Sequence, residues 1–231
     1  MKGWIIALVL CMVISLTDTL KVGVADLSDD ATKAKYDALS AAGIFDGVGE
    51  TQFWLKEEMN RAQFAKVTAL IFGLEPVPHT SSFTDVSSDD FGYALPYIEA
   101  IKAAGITNGV GEGRFDPTGA VTKEQLATFI VRGLGKPIDD QRPVDDPTVS
   151  DWAKEYVAAA LQLKLMSNGT DGTFGGTANA TGDLLVMASY EAAKQADKID
   201  LPPLPSPPVT PPVEQPPATQ EQGTQEPGDS E

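Results

Sequence analysis

A mainly α-helical fold, built from three helix–loop–helix units that share one core, is what this sequence predicts. Three observations carry that reading. The chain repeats itself internally, each copy places apolar residues at helical spacing, and two copies carry the same capping chemistry at the same place.

Residues 42–65, AGIFDGVGETQFWLKEEMNRAQFA, align without a gap on residues 104–127, AGITNGVGEGRFDPTGAVTKEQLA. A weaker third copy with small deletions, LKLMSNGTDGTFGGTANATGDLLVM, covers 163–187. Each unit opens on a short segment, clearest as FTDV at Phe83–Val86 and VDDP at Val144–Pro147. An amphipathic helix follows. Its stripe is Ala94, Tyr97, Ile98, Ile101 and Ala104 in the second copy, and Trp152, Tyr156, Val157 and Ala160 in the third. Pro96 fits such a helix only in its first turn, where its missing N–H costs nothing. Gly43 and Gly105 suit left-handed C-caps. Gly47, Gly49, Gly109 and Gly111 then form a turn-rich loop, and one aromatic per copy, Phe53, Phe115 or Phe174, plugs back toward the core.

The second helix of each unit starts at a capping signal. Thr122 as N-cap with Gln125 three residues on is a capping box, and Asn60 with Gln63 is its near equivalent. Phe64, Val67, Thr68 and Ile71 make one apolar stripe, and Leu126, Phe129, Ile130 and Leu134 the other. A single unit is too small to be stable alone; three can share a core.

The ends read differently. A basic start and an apolar run from Trp4 to Leu16 precede small residues at Gly23–Ala25, the pattern of a secretory signal cleaved near Ala25. An uncleaved membrane anchor is the alternative, although the run is short for a span. Cys11 is the only cysteine, so the mature chain holds together without disulfides. From Leu201 onward the chain carries ten of its 17 prolines and no aromatic residue, so it cannot bury enough apolar surface to offset its ordering entropy. It reads as a disordered, partly polyproline-II tether, with a PxxP ligand for a protein partner as the alternative. The expected division is 1–25 leader, 26–78, 79–139 and 140–199 repeats, and 200–231 tail.

The net charge of −16 excludes a broad nucleic-acid or anionic-lipid face. Yet a cation, Arg61 or Lys123, stands at the first helical position in two copies, where the helix dipole disfavours it by roughly 0.3–1 kcal/mol. If capping were the whole purpose, a neutral or acidic residue would serve better. A cation converging with free helix amides makes an anion site; alternatively both side chains simply project into solvent. Arg61 offers a two-point fork for a carboxylate, Lys123 a point charge. Other chemistry is thin. His79 is the only histidine, no metal-ligating cluster or phosphate-loop pattern occurs, and the acidic runs near Asp85 and Asp146 read as helix-start acids and solvated linkers. No cofactor and no catalytic set is expected.

The repeat resembles the S-layer homology (SLH) domain, best in FTDV, AAGITNGVGEGRFDP and VTKEQLATFI of the second copy. The resemblance implies three tandem SLH repeats in a compact three-pronged module. It also implies an exported, non-enzymatic anchor at the bacterial cell wall. The implied ligand is a secondary cell-wall polysaccharide, often pyruvylated, held in grooves between neighbouring units. The family's Thr-Arg-Ala-Glu motif falls on Asn60–Gln63 and on Thr122–Gln125; in the third copy Thr181 is kept, but Gly182 and Leu184 replace the arginine and the glutamate, so that copy is chemically degenerate. The resemblance thus points to Arg61, Lys123, Asn60, Thr122, Gln63 and Gln125 as ligand-binding, with Gly109 and Gly111 in the loop beside them. The tryptophan usual before the first helix survives as Trp152, with Phe91 near its place in the second copy. A structural assembly protein, whose repeats and tail contact other surface proteins, is the alternative function.

Overall fold

The computed structural model describes residues 18–45, 59–77, 81–136, 138 and 143–205, with the side chains of 18–29 excepted. The chain forms helices α1 (Asp18–Ala41), α2 (Arg61–Ile71), α3 (Ser88–Phe91), α4 (Leu95–Ala103), α5 (Lys123–Gly133), α6 (Lys154–Gln162) and α7 (Gly182–Ala196), with a 3₁₀ turn at Asp151–Ala153 before α6. Among the described residues no strand forms, and no helix is long and apolar enough to cross a membrane.

The helices close in a ring. The second helices α2, α5 and α7 pack on one another at the centre, and each also packs on the first helix of the following unit: α2 on α4, α5 on α6, and α7 back on α1. The helix-rich fold, without strands among the described residues, agrees with the mainly α-helical fold class expected from the sequence. Phe64 and Phe129, 5.3 Å apart between ring centroids, join α2 to α5 in the core, and Leu126, Ile130 and Leu185 are fully buried around them. Each such side chain contributes about 1.5–3 kcal/mol of hydrophobic stabilisation.

Local chemistry matches the expected pattern at most points. Both capping boxes form, Asn60 with Gln63 and Thr122 with Gln125. Pro96 lies in the first turn of α4. Gly43 and Gly105 end their helices at φ of 78° and 72°. The third unit puts Lys164 in the matching left-handed position at φ 56°, a conformation a side chain adopts at a cost. Phe115 and Phe174 are fully buried plugs.

Three expectations need correction or lie elsewhere. Trp152 is not part of the core stripe of its helix: it is 52% exposed, because it sits in the 3₁₀ turn before α6, off the helical register that buries Val157 and Ala160. Asp85 and Asp146 are not solvated linker acids. The Asp85 carboxylate accepts hydrogen bonds from the amides of Phe115 and Asp116, both at 2.8 Å, and Asp146 accepts from the amide of Phe174 at 2.6 Å, so each carboxylate pins the plug of its own unit. Finally, α1 begins at Asp18 and runs unbroken past Ala25, inside the segment read as a leader. Residues 1–17, the loop holding Gly47, Gly49 and Phe53, His79, and the tail from 206 lie outside the described residues.

Candidate functional site

The units meet through backbone first. The amide of Arg61 donates to the Gly119 carbonyl at 2.9 Å and that of Ala62 to the Pro117 carbonyl at 2.9 Å; one unit on, Lys123 and Glu124 donate to Ala178 and Gly176, each at 2.9 Å. The third amide of each helix goes to its own cap, Asn60 Oδ1 or Thr122 Oγ1. The orphan donors of both helix starts are therefore spent on protein oxygens. The expected partnership of free helix amides with an anion does not exist here, because the following unit occupies them.

The same junction explains the cation. Arg61 Nε donates to the Phe115 carbonyl at 2.8 Å, Nη1 donates to Gln125 Oε1 at 3.3 Å, and the guanidinium carbon lies 4.8 Å from the Phe115 ring centroid and 5.5 Å from that of Phe129. Lys123 Nζ likewise donates to the Phe174 carbonyl and sits 4.9 Å from that ring centroid. Each cation latches one unit to the plug of the next, through a carbonyl oxygen and an aromatic face.

The Arg61 junction has a further property. The residue is only 3% exposed, and no described carboxylate forms an ion pair with it. Burial pushes its pKa down, against the more distant pull of Asp116 and Asp85. A buried, unpaired guanidinium is costly unless something else compensates it. It lines an open cavity of about 380 Å³ with Ile106–Val110, Gln125, Thr128, Phe129, Arg132 and the exposed Trp152. Three units build this groove: α2 supplies Arg61, the second unit its loop and α5, and the third unit Trp152.

The groove brings together Arg61, Gln125, Gly109 and Trp152 of the residues read from sequence. Gly109 is required there: at φ 79°, an added Cβ would lie 2.2 Å from the Arg114 carbonyl oxygen and 2.6 Å from the Phe83 ring. Asn60, Gln63 and Thr122 are occupied as caps, Gly111 lies in the adjoining tight turn, Lys123 serves the next junction, and half-buried Phe91 packs on the core at the end of α3. Sequence reasoning missed Arg132, Thr128 and Asn108. The only available signal was that Gln125, Thr128 and Arg132 share one face of a helix.

A second cavity, about 650 Å³, occupies the repeat-equivalent place beside α7. It is lined by Leu161, Leu165, Met166, Leu184 and Met187, with Lys35, Lys164, Asp183 and Glu191 at its edges. Its Lys35 and Glu191 are paired to each other at 2.7 Å.

Residues 82–127 and 145–183 match the family model of the S-layer homology domain. These segments are S-layer homology domains. The match includes the third unit, despite its loss of the helix-start cation. The first unit lies outside the matched segments, but its second helix carries the same capping box and the same latch. Among curated relatives, the chain is 28% identical to an amylopullulanase of Thermoanaerobacterium thermosulfurigenes over 163 residues, 68% of this chain and 9% of that protein. It is 30% identical to a cell surface protein of Thermoanaerobacter kivui over 148 residues, 61% and 18% of the two chains. It is 31% identical to the surface-layer 125 kDa protein of Lysinibacillus sphaericus over 144 residues, 56% and 12%. The chain thus spans less than a fifth of each of these relatives. The S-layer homology domains assign it to the cell surface and to an anchoring role at the wall.

Proposed function

We propose that this chain is a non-covalent wall anchor that holds an acidic secondary cell-wall polysaccharide in the Arg61–Trp152 groove. The observation that carries the reading is the buried guanidinium of Arg61, facing an open groove with no carboxylate paired to it. A carboxylate-bearing sugar, such as one with a pyruvyl ketal, supplies the missing charge. Trp152 supplies a face for a sugar ring at the mouth. With the helix amides spent, the anion is read by side chains alone, and the overall negative charge of the chain restricts binding to this one compensated spot. The first unit, residues 26–78, belongs to the module as its third repeat; residues 1–25 serve export, and residues 200–231 act as a spacer.

Co-sedimentation of the full chain with protein-free sacculi of Lysinibacillus sphaericus tests this. Retention is expected, and it should fall at least about tenfold after wall carboxylates are amidated with a carbodiimide, the loss of roughly one charge-assisted contact. Arg61→Gln should have a similar effect. Retention that ignores amidation would sink the proposal.

A further inference from the structure

The dipeptide Asn-Gly occurs twice, at the same place in two units: Asn108-Gly109 and Asn168-Gly169. Asparagine is a labile residue, and most so before glycine, because no Cβ keeps the glycine nitrogen away from the asparagine side-chain carbonyl. The structure treats the two sites differently. At Asn168 both nitrogens that would react are held by backbone: Nδ2 donates to the Gly172 carbonyl at 2.9 Å, and the Gly169 amide donates to the Thr173 carbonyl at 2.7 Å. At Asn108 the side chain is exposed and bonds no described residue, and the Gly109 amide donates to the Thr107 hydroxyl at 3.1 Å. A hydroxyl rotates to suit its partners, whereas the Thr173 carbonyl is fixed in its turn. Asn108 also lines the cavity of Arg61, a space with no acid in its lining. A second guanidinium, Arg132, donates from Nη1 to the Ile106 carbonyl at 3.3 Å. Two residues of chain span at most about 7 Å, so that cation sits against the loop segment that carries Asn108.

We propose that Asn108 is a self-modification site, whose spontaneous deamidation turns the groove from one that accepts an acidic ligand into one that repels it. The consequence for binding rests on reading the groove as an acidic-glycan site; the reaction itself does not. The Gly109 nitrogen gives its proton to solvent and bonds to Asn108 Cγ. The Cγ–Nδ2 bond breaks, and Nδ2 takes up a proton and leaves as ammonia. Water then opens the cyclic imide to aspartate or isoaspartate. Either product puts a carboxylate into a space lined by two guanidiniums and no acid. It supplies from within the charge that the ligand would bring, and it repels the ligand's own. Attachment through this groove therefore has a chemical lifetime.

The test ages the full chain in mildly alkaline buffer and samples it over time. Peptide mapping by mass spectrometry reads deamidation at each site, and co-sedimentation with protein-free sacculi of Lysinibacillus sphaericus reads binding. Asn108 is expected to convert several-fold faster than Asn168, with binding falling in step. Asn108→Asp should weaken binding about tenfold from the outset, as a like charge facing the ligand. Asn108→Gln, whose longer side chain closes the imide ring far more slowly, should keep its starting affinity through the same ageing. Thermal melting checks that the variants fold; should Asn108→Asp fail to, the aged native chain makes the same comparison. Conversion of Asn168 as fast as Asn108, or full binding by Asn108→Asp beside a loss in Arg61→Gln, overturns this inference and leaves the glycan reading standing. No binding by the fresh native chain, or no effect of Arg61→Gln, overturns the glycan reading and the switch built on it.

Discussion

In the first groove, α5 presents Gln125, Thr128 and Arg132; in the second, the matching face of α7 presents Leu184, Met187 and Glu191. The scaffolds correspond at most points, although Thr122 caps its helix with its hydroxyl and Thr181 turns its hydroxyl to Asp183 instead. Thr122 matches Thr181, the Phe115 plug matches Phe174, and an aspartate clamps each plug. The loop wall changes in the same direction, from Ile106 and Thr107 to Leu165 and Met166. Two of the three floor positions are apolar in the second groove and the third is acidic, and the basic side chain that reaches it from α1, Lys35, is paired to that Glu191. The scaffold and the chemistry of the two grooves therefore vary separately in this chain. The latch and the clamp recur in both places, while three side chains on one helix face differ between the two grooves.

The largest expected effect lies in the loop that walls the first groove. Gly109→Ala forces a Cβ onto the Arg114 carbonyl and the Phe83 ring. It should destabilise the chain by about 3 kcal/mol or more in denaturant titration, from backbone strain and overpacking together. The matching Asn168 adopts no left-handed conformation, and its exposed side chain bonds only the Gly172 carbonyl. Asn168→Ala should cost no more than about 1 kcal/mol. Equal losses would mean that the two loops are not built as differently as described.

Next come the aspartate clamps. Burial raises Asp85, but the amides of Phe115 and Asp116 outweigh it and hold its pKa below the usual carboxylate range; the Phe174 amide and Thr148 do the same for Asp146. The folded pKa values are depressed, so the stability they contribute is present above the ordinary carboxylate range and is lost as pH falls through the folded values. Asp85→Asn should be less stable than the native chain by about 1–2 kcal/mol above about pH 5, with the gap closing only once pH has fallen below the ordinary carboxylate range. Thermal melting across pH checks this. Because Asp85 also fixes the carbonyl on which Arg61 docks, Asp85→Asn should weaken wall binding while Asp146→Asn leaves it unchanged. Equal binding losses would tie the second groove to the ligand.

The smallest effect concerns the rim of the second groove. Lys164 holds a left-handed φ where the other units have glycine. Lys164→Gly should raise stability, by less than about 1 kcal/mol, since the relief of strain is offset by glycine's greater freedom in the unfolded chain. A clear loss of stability in a melting curve would show that the lysine side chain supports the cavity rim.

Much of the fold was legible in the sequence because its signals are local. A capping box, a glycine helix end and an apolar stripe each need only neighbouring residues, so Thr122 with Gln125, Gly105, and the buried run of Phe64, Val67 and Ile71 could be read directly. The oddity of a cation at Arg61 was also legible. Its explanation was not. The sequence offers no sign that the first amides of α2 end on Pro117 and Gly119, or that Phe115 supplies both a carbonyl and a ring to the guanidinium. Trp152 looked like a core residue by helical spacing, and only the 3₁₀ turn before α6 turns it outward.

The sequence by itself determined the repeat, the helices, their caps and the aromatic plugs, because each rests on interactions within a few residues along the chain. Only the tertiary structure decided where the units meet. The ring brings Arg61, Arg132 and Trp152 from three different units to one groove, and it spends the helix amides that sequence left open. Such contacts depend on how separate amphipathic faces pack against one another, and packing across the ring leaves no period for a sequence to display.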